Sequence, residues 1–109
     1  MSRPSDLVQG TLDALILRIL ATEPMHGLAI SQQIRDRSSQ TLQMSPGSLY
    51  PALHKLEHQG MIRSEWKAAE SGRRGKYYAL TRRGRRQLEK ETADWQRLSK
   101  AISAVLRPI

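Results

Sequence analysis

Residues 45–80 read SPGSLYPALHKLEHQGMIRSEWKAAESGRRGKYYAL, and inside this stretch the apolar period changes from that of a helix to that of a strand. Ser45 suits an N-cap, Pro46 the first helical position, and Leu49, Leu53 and Leu56 follow at helical spacing until Gly60 stops the segment. From Met61 onward Ile62, Ser64 and Trp66 alternate with Arg63, Glu65 and Lys67, and after a polar, Gly-containing loop a short aromatic run covers Lys76 to Leu80. The stretch therefore predicts a short helix followed by a β-hairpin with a long tip. Pro51 breaks the local rules, because inside the helix it deletes one backbone hydrogen bond and crowds the preceding turn.

Working toward the N-terminus, Leu12, Leu15, Ile16, Ile19 and Leu20 line one face of a helix that ends before Pro24, starting near Thr11 or as early as Ser5. After an EPMHG turn, Leu28, Ala29, Ile30 and Ile34 can face a core while Gln32, Gln33, Arg35, Asp36 and Arg37 stay wet, and Ser38 and Ser39 close this second helix. Toward the C-terminus, Thr81 can cap a last helix whose Leu88, Trp95, Leu98, Ile102 and Val105 form an apolar stripe among charges. Running to about Leu106, it would span roughly 39 Å. That is too long for its stripe to be buried against one small core.

Three short helices and a hairpin bury one core and leave the third helix and the hairpin tip at the surface. The expected fold class is mainly α (α+β), a winged helix-turn-helix with a long C-terminal helix. The expected division is a DNA-binding domain over 1–81 and a dimerisation helix over 82–109.

Composition agrees. The chain has 109 residues, enough for one core, and its 18 Lys and Arg against 10 Asp and Glu give a formal charge of +8, which attracts polyanions. It has no cysteine, which removes disulfides, thiolate metal sites and cysteine nucleophiles and suits a reducing compartment, the cytoplasm. The apolar run from Leu15 to Leu20 is interrupted by Arg18, so no membrane association is expected.

A helix of this size fits the major groove, with its N-terminal residues nearest the base edges. The DNA-binding candidates there are Ser45, Gly47, Ser48, Tyr50, His54 and Lys55, with the helix dipole adding a phosphate site at Gly47 and Ser48. On the hairpin, Arg73, Arg74 and Lys76 lie within a few residues, with Gly72 and Gly75 easing the turn, and can reach a phosphate backbone or a narrow minor groove. The plainer alternatives are a capped, solvated helix and solvated charge. The GRRG sequence lies between strands and lacks the helix and lysine-serine pair of a phosphate loop, so nucleotide binding is rejected. His54 and His58 stand i, i+4, but histidines on a basic helix more simply face DNA or water, so no metal and no cofactor are expected. No nucleophile elbow or paired carboxylates stand in a recognisable catalytic setting, and an enzyme is not expected.

The segments QGTLDALILRIL (9–20), PMHGLAI (24–30), GSLYPALHKLEHQGMI (47–62) and GRRGKYYALTRRGRRQL (72–88) together resemble the PadR family of bacterial transcriptional regulators, in particular its short members with one C-terminal helix. The resemblance covers nearly the whole chain. It implies Tyr50 and its neighbours at DNA, Lys76 with Arg73 or Arg74 on a DNA-contacting wing, and a proline after that tyrosine, as Pro51 is. It also implies a homodimer in which the last helix meets the partner's first helix, making Leu12, Leu88, Trp95, Leu98, Ile102 and Val105 the dimerisation candidates. Some relatives hold small aromatic effectors between subunits against a tryptophan, so Trp95 is also a candidate ligand platform, although dimer packing is the favoured role. The expected function is a repressor that binds a palindromic operator in double-stranded DNA. The rivals are a nonspecific nucleic-acid-binding module and a protein-interaction adaptor.

Overall fold

The computed structural model describes residues 4–68 and 71–109, with side chains from residue 11 onward. The order of elements is α1 (Pro4–Leu20), β1 (Met25–His26), α2 (Gly27–Arg37), α3 (Pro46–His58), β2 (Ile62–Ala68), β3 (Arg74–Leu80) and α4 (Arg82–Leu106). The expected helices and hairpin are all present. Among the described residues no helix is long and apolar enough to cross a membrane.

The core draws Leu12, Ile16, Leu17, Ile19 and Leu20 from α1, Ile30 and Ile34 from α2, and Leu49, Ala52, Leu53 and Leu56 from α3; Ile62, Tyr78 and Leu88 close it. These positions recur three or four residues apart along each helix, which is why each helix can turn one side inward. Leu28 departs from expectation: it is 59% exposed. With Ile30 and Ile34 both inward, a residue two positions before Ile30 is rotated about 200° away from it, onto the outer face.

The sheet has three antiparallel strands in the order β1-β3-β2, one more than the sequence suggests. The added strand is Met25–His26, paired as Met25 with Tyr78 and His26 with Tyr77. Two residues are too few to carry an alternating pattern, so only the presence of β3 beside them makes them a strand. His26 then caps α2, its Nδ1 accepting from the Ala29 amide at 3.2 Å. The hairpin is also tighter at its end than expected, because β3 starts at Arg74 opposite Ala68 rather than at Lys76.

Ser45 caps α3, its Oγ accepting from the Ser48 amide at 3.3 Å, with Pro46 behind it. Pro51 lies within the helix. The carbonyl it leaves unpaired is that of Gly47, an exposed residue, so water can satisfy it. Between α2 and α3 the chain turns through Ser39 and Gln40, both left-handed with φ of 52° and 66°. The Gln40 amide closes this turn on the Arg35 carbonyl at 2.7 Å.

The start of α4 is held against the α3–β2 connection. The Thr81 amide donates to the Met61 carbonyl at 3.1 Å. The Thr81 hydroxyl lies 2.6 and 2.9 Å from the Gly60 and Met61 carbonyls and accepts from the Gly84 amide at 3.0 Å. From this anchor α4 runs outward, and the molecule measures 59 × 28 × 24 Å.

Candidate nucleic-acid interface

The exposed edge of α3 carries most of the residues that the sequence singles out. Ser45, Gly47, Ser48, Tyr50 and His54 are all exposed, and they occupy the cap and first turns of a helix with no acidic residue in its first turn. The positive end of the helix dipole is therefore uncompensated and open to an anion. Tyr50 is oriented by its neighbour: a Cβ on Gly27 would stand 3.1 Å from Tyr50 Cε1 and 3.2 Å from its hydroxyl. The ring thus rests against the bare backbone at the start of α2, and its remaining surface faces solvent.

Lys55 is placed differently from the other five. Its Nζ lies 2.5 Å from Asp13 Oδ2 on α1. Among the described residues Asp13 is the buried charged one, and its Oδ1 has no hydrogen-bond partner among them. Lys55 thus neutralises a carboxylate inside the fold and ties α3 to α1, which takes it away from the outer edge where the sequence reading put it.

The wing also divides its cations. Arg73 and Arg74 are exposed at the end of the hairpin. Lys76 stands further down, its Nζ 3.6 Å from Glu57 Oε1 on α3 and 5.6 Å from the centre of the Tyr78 ring. Glu57 Oε2 accepts the Ser64 hydroxyl proton from β2. Burial, then the nearby Glu57 and Tyr50, push the Tyr78 phenol above its usual value of 10.0. Trp66, opposite Lys76 in the register, is 60% exposed on this basic hairpin.

Along α4, Trp95, Leu98, Ile102 and Val105 recur at spacings of three, four and three, and are exposed between 42% for Leu98 and 83% for Val105. The other two dimerisation candidates, Leu12 and Leu88, are buried in the chain's own core. They support the base of α1 and α4 and are not free surface.

Residues 16–90, from within α1 to the middle of α4, match the transcriptional regulator PadR-like family. The chain belongs to this family. A PadR-family transcription regulator from Clostridium difficile has the same fold with a TM-score of 0.78 at 31% identity, covering 88% of this chain and 98% of that one. A transcriptional regulator from Clostridium thermocellum superposes with a TM-score of 0.84 at 27% identity, over 94% and 99% of the two chains. A transcriptional regulator of Mycobacterium tuberculosis is 32% identical over 87 residues, 80% of this chain and 78% of that protein. The protein is thus a PadR-family, DNA-binding transcriptional regulator with the family's winged-helix architecture.

Within this PadR-family frame, sequence reasoning missed three side chains: Asp13, Glu57 and Trp66. For two of them a signal existed. Asp13 falls on the apolar face of α1, four residues before Leu17, where an unpaired charge would be costly and so implies a partner. Glu57 follows Leu53 by four residues, at the border of the buried face. Trp66 was misjudged because alternation puts it on the same side of β2 as Ile62, yet the hairpin runs past the end of the core, and that side is then open.

Proposed function

We propose that this regulator works as a homodimer that represses transcription by occupying a palindromic operator. Each α4 would cross to the partner and lay its exposed stripe, whose three-four spacing is that of a helix–helix seam, against the partner's first helix. A two-fold axis between the subunits would present two copies of α3 to successive major grooves, with the wings alongside. Residues 1–81 would then read DNA and residues 82–109 join the subunits, in the cytoplasm where the promoter lies.

In this reading Ser45, Gly47, Ser48, Tyr50 and His54 meet the groove and its phosphates, and Arg73 and Arg74 meet the flanking backbone. A small aromatic effector stacking on Trp95 between subunits would shift the spacing of the two α3 helices and release the operator. The observation that carries the reading is the open, capped N-terminus of α3 together with an exposed basic hairpin end in a chain of net charge +8.

Selection of bound duplexes from a random pool at near-physiological salt tests it. The expected winner is a palindrome bound about a thousandfold or more tightly than a scrambled duplex. A flat profile whose affinity collapses with salt would refute sequence-specific regulation by this surface. Sedimentation of the wild type and of Leu98→Asp tests the subunit seam: a dimer that the substitution dissociates is expected, and a wild-type monomer at micromolar concentration refutes it.

A further inference from the structure

Glu57 is the one point at which α3 and both strands of the hairpin meet through polar side chains among the described residues. Its Oε2 accepts a hydrogen bond from the Ser64 hydroxyl on β2, and its Oε1 faces Lys76 on β3 at 3.6 Å. Ser64 is opposite Tyr78 and Trp66 is opposite Lys76, so the groups that Glu57 engages share the face of the hairpin that turns toward α3. Both charges are largely shielded, with the Lys76 side chain 30% and the Glu57 side chain 33% exposed. The Tyr78 ring lies beneath the ammonium as a second, weaker partner.

A lysine held in this way is a poor phosphate ligand. To reach DNA it would have to leave a carboxylate and an aromatic face, and the carboxylate left behind would repel the phosphates it approached. Arg73 and Arg74, exposed at the hairpin end, have no such restraint among the described residues.

We propose that Glu57 is a positioning residue for DNA recognition: it locks the wing at a fixed angle to α3 and withholds Lys76 from the DNA backbone. The proposal rests on the reading that α3 and the wing engage one duplex. A wing held at one angle fits its phosphates only when α3 is seated in register, so the clamp sharpens discrimination. A freed Lys76 adds a contact that any sequence can supply.

The test uses the full chain with its selected operator and a scrambled duplex, each titrated with salt. Glu57→Gln keeps an oxygen for the Ser64 hydroxyl but removes the charge that holds Lys76. It is expected to steepen the plot of log affinity against log salt by roughly 0.9 per subunit engaged, one phosphate contact. It should also lower the operator-to-scrambled ratio, because a wing no longer held at one angle can meet the phosphates of a duplex on which α3 is out of register. Lys76→Ala alone should leave the slope unchanged, and Glu57→Gln with Lys76→Ala should restore the wild-type slope. Ser64→Ala, which loosens one strand while keeping the charge pair, should lower the ratio without changing the slope.

A wild-type slope that flattens by roughly 0.9 per subunit engaged on Lys76→Ala would mean that Lys76 already binds a phosphate, and would overturn the proposal. An unchanged slope and ratio in a folded Glu57→Gln protein would overturn it as well. A wild-type chain that binds no duplex overturns the DNA reading and this proposal together, whereas the two preceding results leave the DNA reading standing.

Discussion

Gly84→Ala is expected to be strongly destabilising although it adds a single methyl group to a helix. A Cβ at Gly84 would stand 1.9 Å from the Met61 carbonyl oxygen, 2.9 Å from its carbon and 2.8 Å from Leu80 Cδ1. Relieving the clash with that oxygen needs a shift of about 1.5 Å before ordinary contact distance is regained. The obstacle is backbone, and it is the same carbonyl that accepts from the Thr81 amide at 3.1 Å, so movement also weakens the bond that seats α4. Overpacking of this kind costs about 1–3 kcal/mol, and a disturbed N-cap costs about 1 kcal/mol more. The better helix propensity of Ala returns at most about 1 kcal/mol. The net loss is about 1–3 kcal/mol, which for a domain of this size lowers the thermal midpoint by roughly 4–24 °C. Thermal unfolding followed by circular dichroism, at one fixed protein concentration because association shifts the midpoint, measures it. A midpoint within about 3 °C of wild type would refute the close seating of α4 on the α3–β2 connection.

Gly47, in the first turn of α3, should behave in the opposite sense. At Gly47 a Cβ meets nothing nearer than Ser45 Oγ at 3.8 Å, so Gly47→Ala should raise stability by up to about 1 kcal/mol. It should weaken operator binding severalfold if the backbone there lies on a phosphate, and unchanged affinity in the stabilised variant would remove Gly47 from the interface. Lys55→Met should leave Asp13 buried without a counter-charge and lower stability by about 1–2 kcal/mol, a figure reduced from that of a fully buried pair because Lys55 is 39% exposed. Its salt slope with DNA should not change, and a slope flattened by roughly one would return Lys55 to the DNA face. Tyr78 gives a pH prediction. Its pKa is raised on folding, first by burial and then by Glu57 and Tyr50, so the unfolded chain loses this proton first. Stability should fall as pH rises through the unfolded value of about 10 toward the folded one. Tyr78→Phe should show a shallower alkaline loss of stability than wild type, and identical alkaline curves would refute the shift.

Much of this architecture is legible in local patterns. The helices of α1, α2 and α3 follow from apolar residues three and four apart, the ends of α3 from Ser45, Pro46 and Gly60, and the start of α4 from Thr81, because caps and breakers act within a turn of where they stand. The change of period after Gly60 separates helix from hairpin for the same reason. The family is legible too, since its motifs are contiguous stretches of this chain. The exposed stripe of α4 is visible as well, because 25 residues of helix outreach a core this small.

What depends on residues far apart in the chain was not legible. Lys55 and Asp13 are 42 positions apart, and nothing near either one announces that a cation on the recognition helix serves a buried carboxylate on α1. Lys76 looks like one of three wing cations until Glu57, on another element, is seen to hold it. Met25 and His26 become a strand only because β3 passes beside them, and Trp66 is exposed only because the hairpin outruns the core. By itself, then, the sequence determined the four helices and the hairpin, the caps at Ser45 and Thr81, the basic character and the family, all of which rest on neighbours within a few residues. The tertiary structure alone decided which charges are paired within the chain, because a side chain's partner is set by whichever element packs beside it, and short-range periodicity carries no record of that.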